Sequence, residues 1–204
     1  SNICTAQVLL AVMAGMYAVY HGPEGLKKIA TTIHETAKKL SSAAEQLGYT
    51  QKNKKYFDTL LFDTGKNPAA IKDAALRAGI NFRYVNDHSF SISVDETTGE
   101  EELLTIINVL SDASGKKINT AGINTKNIII DGSFKRSLPI LTHPVFNSHQ
   151  SETEMLRYIT MLENKDLSLN HSMIALGSCT MKLNATSEMI PLSWPLWSSI
   201  HPFA

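Results

Sequence analysis

Residues 177–184 place a glycine, two hydroxyls, a thiol, an ammonium and an amide within eight positions, with Ser178, Cys179, Thr180, Lys182 and Asn184 carrying the reactive or anion-seeking groups. No other stretch of the 204 residues has that density. Hydroxyls and an ammonium suit a carboxylate or a phosphate. The same Gly/Ser/Thr/Asn composition also marks a turn into a helix for purely conformational reasons, and residue types alone favour that simpler reading. A second cluster, Phe134-Lys135-Arg136-Ser137 before Pro139, sets two cations beside a hydroxyl. Arg136 could grip an anion in a bidentate fashion, although the pattern is more often a solvated basic turn.

Other chemistries find less support. The histidines at 21, 34, 88, 143, 149, 171 and 201 form no helical-spacing pair with a carboxylate, and Cys4 and Cys179 lie at opposite ends of the chain. No metal site is expected. The glycines punctuate singly and build no phosphate loop, and no nucleophile elbow marks a Ser/His/Asp triad. Two distant cysteines argue against a disulfide framework and for a reducing compartment. Lys plus Arg and Asp plus Glu number 19 each, so no net basic field draws nucleic acid or anionic lipid. The apolar run 8–19 is too short to span a bilayer.

The elements that must position these residues follow from periodicity. Residues 5 to 20 are apolar nearly all round, which predicts a buried helix. His21-Gly22-Pro23 breaks it, and a second helix runs from Pro23 to about residue 47. Its stripe is Leu26, Ile29, Ala30, Ile33, Ala37, Leu40, Ala44 and Leu47, with Gly48 as the stop. A strand is expected at 57–63, a helix at 68–78 between an Asn67 N-cap and Gly79, strands at 80–85 and 90–94 around an Asn86-Asp87 turn, and a helix at 100–110. That order predicts an α+β unit, a small, mainly antiparallel sheet with helices on one face. Residues 112–150 read as an irregular connector. Ser151-Glu152-Thr153-Glu154 is a capping box opening a helix to about residue 162. Pro191, Trp194, Pro195, Trp197 and Pro202 suggest an extended, aromatic-anchored close. Ends of the form Ser1-Asn2-Ile3-Cys4-Thr5 and His201-Pro202-Phe203-Ala204 are expected of a piece of a longer polypeptide.

Longer blocks are more specific. Ser1-Asn2-Ile3-Cys4-Thr5-Ala6-Gln7, Tyr20-His21-Gly22-Pro23-Glu24-Gly25, Phe134-Lys135-Arg136, Leu141-Thr142-His143-Pro144-Val145-Phe146-Asn147 and Gly177-Ser178-Cys179-Thr180-Met181-Lys182-Leu183-Asn184 resemble the glycine dehydrogenase (decarboxylating) family, the P-proteins of the glycine cleavage system. Departures are few: Ala175 stands where the family usually has proline, and Thr31-Thr32 replaces a usually basic pair. The resemblance implies the small domain of a fold-type-I pyridoxal-phosphate enzyme, followed by a connector and the start of a second half. It partitions the chain into residues 1–20, the last helix of a preceding large domain; 21–112, the small domain; 113–150, the connector; and 151–204, the opening of the catalytic half.

It further implies glycine as substrate and pyridoxal phosphate as cofactor in the full-length parent, whose ring takes the electron pair as carbon dioxide leaves. The lipoylated H-protein is the implied acceptor of the aminomethyl group, and a homodimer the implied assembly. The cytoplasm is the preferred location for a bacterial source, with the mitochondrial matrix for a eukaryotic one. The family's cofactor-anchoring lysine lies in a His-Lys-Thr motif, which this sequence lacks. The chain is therefore expected to hold no cofactor covalently and to be inactive alone. Within that resemblance, Ser178, Cys179, Thr180, Lys182 and Asn184 are the expected pocket wall, approached by Asn2, Cys4 and Thr5 and by Arg136. The alternative is a scaffolding segment that joins halves or subunits and supplies no catalytic group.

Overall fold

A computed structural model describes residues 6–65, 68–119, 123, 136–168, 171, 173 and 185–200. The chain divides into two compact units, Glu24–Ile140 and a second formed by Ser1–Pro23 with Leu141–Ala204. Helix α1 (Ala6–Leu47) contributes to both and is divided at Gly22, whose backbone is non-helical (φ 62°, ψ −176°). The expected break at 21–23 is there. Pro23 follows it, where a missing N–H costs nothing at a helix start.

In the Glu24–Ile140 unit, four strands form one antiparallel sheet in the order β1 (Thr50–Gln51), β2 (Thr59–Asp63), β4 (Ser89–Ser93), β3 (Arg83–Asn86). Leu60 pairs with Ile92 and Phe62 with Phe90, and the pleat sends all four side chains to one face. There they meet Ala37, Leu40, Ala43, Ala44 and Leu47 of α1, Ile71 of α2 (Ala69–Arg77), and Leu103, Ile106, Ile107 and Leu110 of α3 (Glu100–Ser114). The helices thus cover one face of the sheet, as the α+β expectation has it. Each large apolar side chain fully buried here contributes about 1.5–3 kcal/mol. The Phe62 and Phe90 rings pack tilted by 33° with centroids 5.5 Å apart, and Tyr49 closes edge-on against both. The Tyr49 hydroxyl donates to the Leu110 carbonyl at 2.9 Å, and burial pushes the phenol up to about 12. An ion pair between Lys39 and Glu100 ties α1 to the acidic first turn of α3.

Several boundaries differ from expectation for identifiable reasons. β2 starts at Thr59 rather than 57, because the Phe57 carbonyl faces His34 Nδ1 at 2.9 Å, outside the ladder. β3 starts at Arg83 rather than 80. Gly79 takes the left-handed conformation (φ 71°), and the Ile80 N–H is spent on the Ala75 carbonyl at 2.8 Å to close α2. The hairpin turn falls at Asp87-His88, one residue later than expected, with the Asn86 side chain accepting from the His88 N–H. α3 runs on to Ser114, where Gly115 (φ 70°) ends it. The two-residue strand β1 was not anticipated; beyond it the Asn53 side chain bridges the Leu61 N–H and the Thr59 carbonyl. The expected N-cap Asn67 lies outside the described residues, and Pro68 before α2 makes no side-chain cap.

The other unit departs further. The apolar arm of α1 is not buried: Leu9, Leu10, Val12 and Met13 are each half or more exposed, while Val19 is buried. Apolarity all round a helix requires a partner surface but does not supply one. Helix α4 (Glu152–Glu163) begins as expected, the Ser151 hydroxyl accepting from the Glu154 N–H at 3.3 Å. Only that half of the capping box is made, because the Glu154 carboxylate turns to Arg157 at 2.9 Å. The expected irregular connector contains a 3-10 helix at Pro144–Asn147. The close is not extended. It forms α5 (Thr186–Met189), a 3-10 turn (Ile190–Ser193) and α6 (Pro195–Ser198), with Pro191 and Pro195 in first-turn positions that suit a fixed φ. Trp194 and Trp197 are 52% and 66% exposed, so neither ring is anchored in a core. Among the described residues no helix is long and apolar enough to cross a membrane.

Phe90→Ala lowers stability by about 3–5 kcal/mol, read as a lower urea midpoint, whereas Leu10→Ala on the exposed arm stays within about 0.5 kcal/mol. Asp95 is held below the usual carboxylate range, chiefly by the Thr97 hydroxyl at 2.7 Å and also by the Thr97 N–H. A depressed carboxylate stabilises the fold above its unfolded value, near ~4, and loses that contribution as pH falls through the lower folded value. The urea-midpoint difference between the wild type and Asp95→Asn is therefore constant from about pH 5 to 8 and shrinks below about pH 4.

Candidate functional site

Ser178, Cys179, Thr180, Lys182 and Asn184 lie outside the described residues, as do Asn2, Cys4 and Thr5. Of the expected pocket residues only Arg136 is described. It is exposed, in irregular backbone within the expected connector. What the structure does show is the framework that brackets residues 177–184. On the N-terminal side, α4 ends in a tight turn, with Asn164 N–H bonded to the Thr160 carbonyl at 3.0 Å and the Leu167 N–H to the Asp166 carboxylate at 2.7 Å. Ser168, buried, then meets His171 Nδ1 through its hydroxyl at 2.9 Å, and the His171 N–H returns to the Ser168 carbonyl. On the C-terminal side, the Glu188 carboxylate accepts from the Ala185 N–H at 3.2 Å and fixes the start of α5. The other expected stretch, residues 2–5, directly precedes α1.

The Ser168–His171 contact was not anticipated. Its only signal in the sequence is a three-residue spacing, which a turn uses as readily as a site does. Its local, self-satisfied geometry makes it a turn lock. A second unanticipated polar group is His34, buried among Tyr56 and Phe57. Its Nδ1 lies 2.9 Å from the Phe57 carbonyl oxygen, which can only accept, so that nitrogen donates there, and among the described residues the buried Nε2 has no hydrogen-bond partner. Burial pushes the neighbouring Tyr56 phenol up, opposed by the Ser41 hydroxyl. Among the described residues no three His, Cys, Asp or Glu side chains are grouped to hold a metal ion.

Among the described residues of the Glu24–Ile140 unit, two hollows can be examined for fit. One, of about 350 Å³, is lined by Ile80, Thr98, Glu101, Glu102, Thr105 and Ile106 and brings two carboxylates but no cation. The other, of about 210 Å³, lies between Gly48, Tyr49, Thr64, Ile71, Ser114 and Lys116. It offers one ammonium and two hydroxyls, but no carboxylate to face a pyridinium nitrogen, and its one aromatic ring is engaged in the core. Neither hollow fits pyridoxal phosphate.

The comparisons with known proteins bear on the whole chain. It is 52% identical over 212 residues to the glycine dehydrogenase (decarboxylating) of Paraburkholderia xenovorans. It is 53% identical over 204 residues to that of Flavobacterium johnsoniae, and 53% over 207 residues to that of Bordetella avium. Each match takes in all of this chain, which spans about a fifth of the length of these curated relatives (22%, 21% and 22%). The family model described as Glycine cleavage system P-protein matches residues 1–110, more than half of the sequence. With its motif blocks, its α+β unit and this match in agreement, the chain belongs to the glycine cleavage system P-protein family.

Proposed function

We propose that this chain is a segment of a glycine-decarboxylating enzyme. The parent takes glycine, uses pyridoxal phosphate to accept the electron pair released with carbon dioxide, and passes the aminomethyl group to the lipoyl arm of H-protein. The observation that carries this proposal is identity of about one residue in two across the entire chain to glycine dehydrogenases (decarboxylating). The chain supplies a small domain of the fold-type-I kind at 21–112, preceded by a helix of the large domain and followed by a connector and the opening of the second half at 151–204. The one-sided, helix-covered antiparallel sheet supports that placement. A homodimeric parent in the cytoplasm completes the proposal.

Within it, the Ser178 and Thr180 hydroxyls and the Lys182 ammonium hold a carboxylate or phosphate, and Asn184 maintains the shape of that stretch. Cys179 sits among them, and Asn2, Cys4 and Thr5 approach from the other half. The absence of a His-Lys-Thr motif supports a division of labour: this segment shapes the site, and the cofactor-anchoring lysine lies elsewhere in the parent. The segment alone is then inactive.

A second reading, that the segment mainly joins halves or subunits, is favoured by a specific contrast. The Glu24–Ile140 unit completes its own core, while the first arm of α1 and the tail around Trp194 and Trp197 leave large apolar side chains exposed. The two readings separate at the wall. In the full-length parent, Ser178→Ala and Lys182→Ala each lower kcat/KM for glycine by about tenfold or more, as expected for loss of a charge-assisted hydrogen bond. Steady-state kinetics in which both variants match the wild type would leave only the joining role.

A further inference from the structure

Along residues 7–22 of α1, only Val19 and Gly22 are buried. One turn apart, they lie on the same side of the helix. What sits against Gly22 comes from far along the chain, in the unit formed by Ser1–Pro23 and Leu141–Ala204. A Cβ on Gly22 would lie 2.7 Å from the Phe146 carbonyl oxygen and would overlap the Gln150 side-chain amide. That amide donates to the same Phe146 carbonyl at 3.2 Å, so the kink meets a hydrogen-bonded pair whose groups are already satisfied. The Gly22 backbone (φ 62°, ψ −176°) lies in a region that essentially only glycine enters. Conformation and space therefore both require glycine at this one contact.

The stretch that meets the kink is stiffened by its own groups. Leu141 holds a left-handed backbone (φ 49°), unusual for a non-glycine residue. The Asn147 amide reaches both the Leu141 and the His143 carbonyls at 3.4 Å, and the His143 ring accepts from the Val145 N–H at 3.2 Å. The Ser148 hydroxyl donates to the Pro144 carbonyl at 2.8 Å. His149 stacks on Tyr158 of α4 with ring centroids 4.3 Å apart and planes 15° apart. None of these residues belongs to the core of the Glu24–Ile140 sheet.

We propose that residues 141–150 are an intramolecular strap seated on the Gly22 kink. The joint ties the helix that leads into the α+β unit to the segment that leaves it, and its partner is this chain's own α1. The end of the arm and the strap then open together as one cooperative unit, independently of the sheet. The joint gives the joining reading a place in the chain, and it involves no residue of 177–184.

Amide hydrogen exchange in the full-length parent tests the joint, on Gly22→Ala, Gln150→Ala and the double variant. Gly22→Ala is expected to speed exchange in residues 17–25 and 141–158 together, by about tenfold or more, with residues 59–63 and 89–93 of the sheet unchanged. Gln150→Ala is expected to move the same two stretches by a smaller factor, and it carries the test if Gly22→Ala does not fold. In the double variant the effect is expected to fall short of the product of the single effects, because truncating Gln150 removes atoms that the new methyl group would overlap. Faster exchange in one stretch alone, or in neither, would overturn the joint. Single effects that simply multiply would overturn the seat of Gly22 on Gln150. Glycine turnover by the wild-type parent is read separately: its absence would overturn the proposed function and leave the joint to be judged by exchange.

Discussion

The contact on which the described core depends is the pairing of Phe62 with Phe90 across adjacent strands, under the last turns of α1. Both rings are fully buried. They fix the register of β2 against β4, because a slip of one residue would turn Leu60, Phe62, Phe90 and Ile92 to the opposite face. With the register set, the positions of the helices follow. Leu40 and Leu47 of α1 and Ile107 and Leu110 of α3 can bury their side chains only on that face. Tyr49 is the seam, ring in the core and hydroxyl on the Leu110 carbonyl of α3.

One helix thus meets two fates. Past Gly22, the apolar stripe of α1 is partly buried at Leu26, Ile29, Ala30 and Ile33 and, from Ala37 to Leu47, finds the sheet and is fully buried. Before Gly22, a more apolar arm, with no Asp, Glu, Lys or Arg from residue 6 to 21, meets solvent at Leu9, Leu10, Val12 and Met13. Apolar composition alone therefore does not bury a helix, and the difference lies in the complementary surface. Exposed apolar area on this scale marks a surface built for contact. On the proposed account, the rest of the parent polypeptide provides that contact.

The parts of the fold that were legible in the sequence are those fixed by local chemistry. The stripe ending in Ala37, Leu40, Ala44 and Leu47, the left-handed glycines at 48 and 79, and the hydroxyl of Ser151 each act within a few residues of themselves. What escaped the sequence depends on distant partners. β1 exists because Thr50 and Gln51 pair with Asp63 and Phe62, and two residues give no periodicity to detect. The exposure of the first arm, and the seating of Gly22 on Phe146 and Gln150, are likewise facts about surfaces far along the chain. The candidate wall was legible only as residue types, Ser178, Cys179, Thr180, Lys182 and Asn184, reinforced by family resemblance. On the proposed account its working geometry arises where two halves meet, and a short stretch of sequence does not encode that meeting.

On the proposed reading this segment shapes a glycine site whose cofactor-anchoring lysine lies elsewhere in the parent. Borohydride reduction tests it most directly, applied side by side to the full-length parent and to residues 1–204, each equilibrated with pyridoxal phosphate and then mapped by peptide mass spectrometry. The account predicts one stoichiometric phosphopyridoxyl-lysine in the parent, in a His-Lys-Thr sequence outside this stretch, and no stoichiometric label on residues 1–204. A stoichiometric label on Lys182, or on any other lysine of this chain, would contradict it.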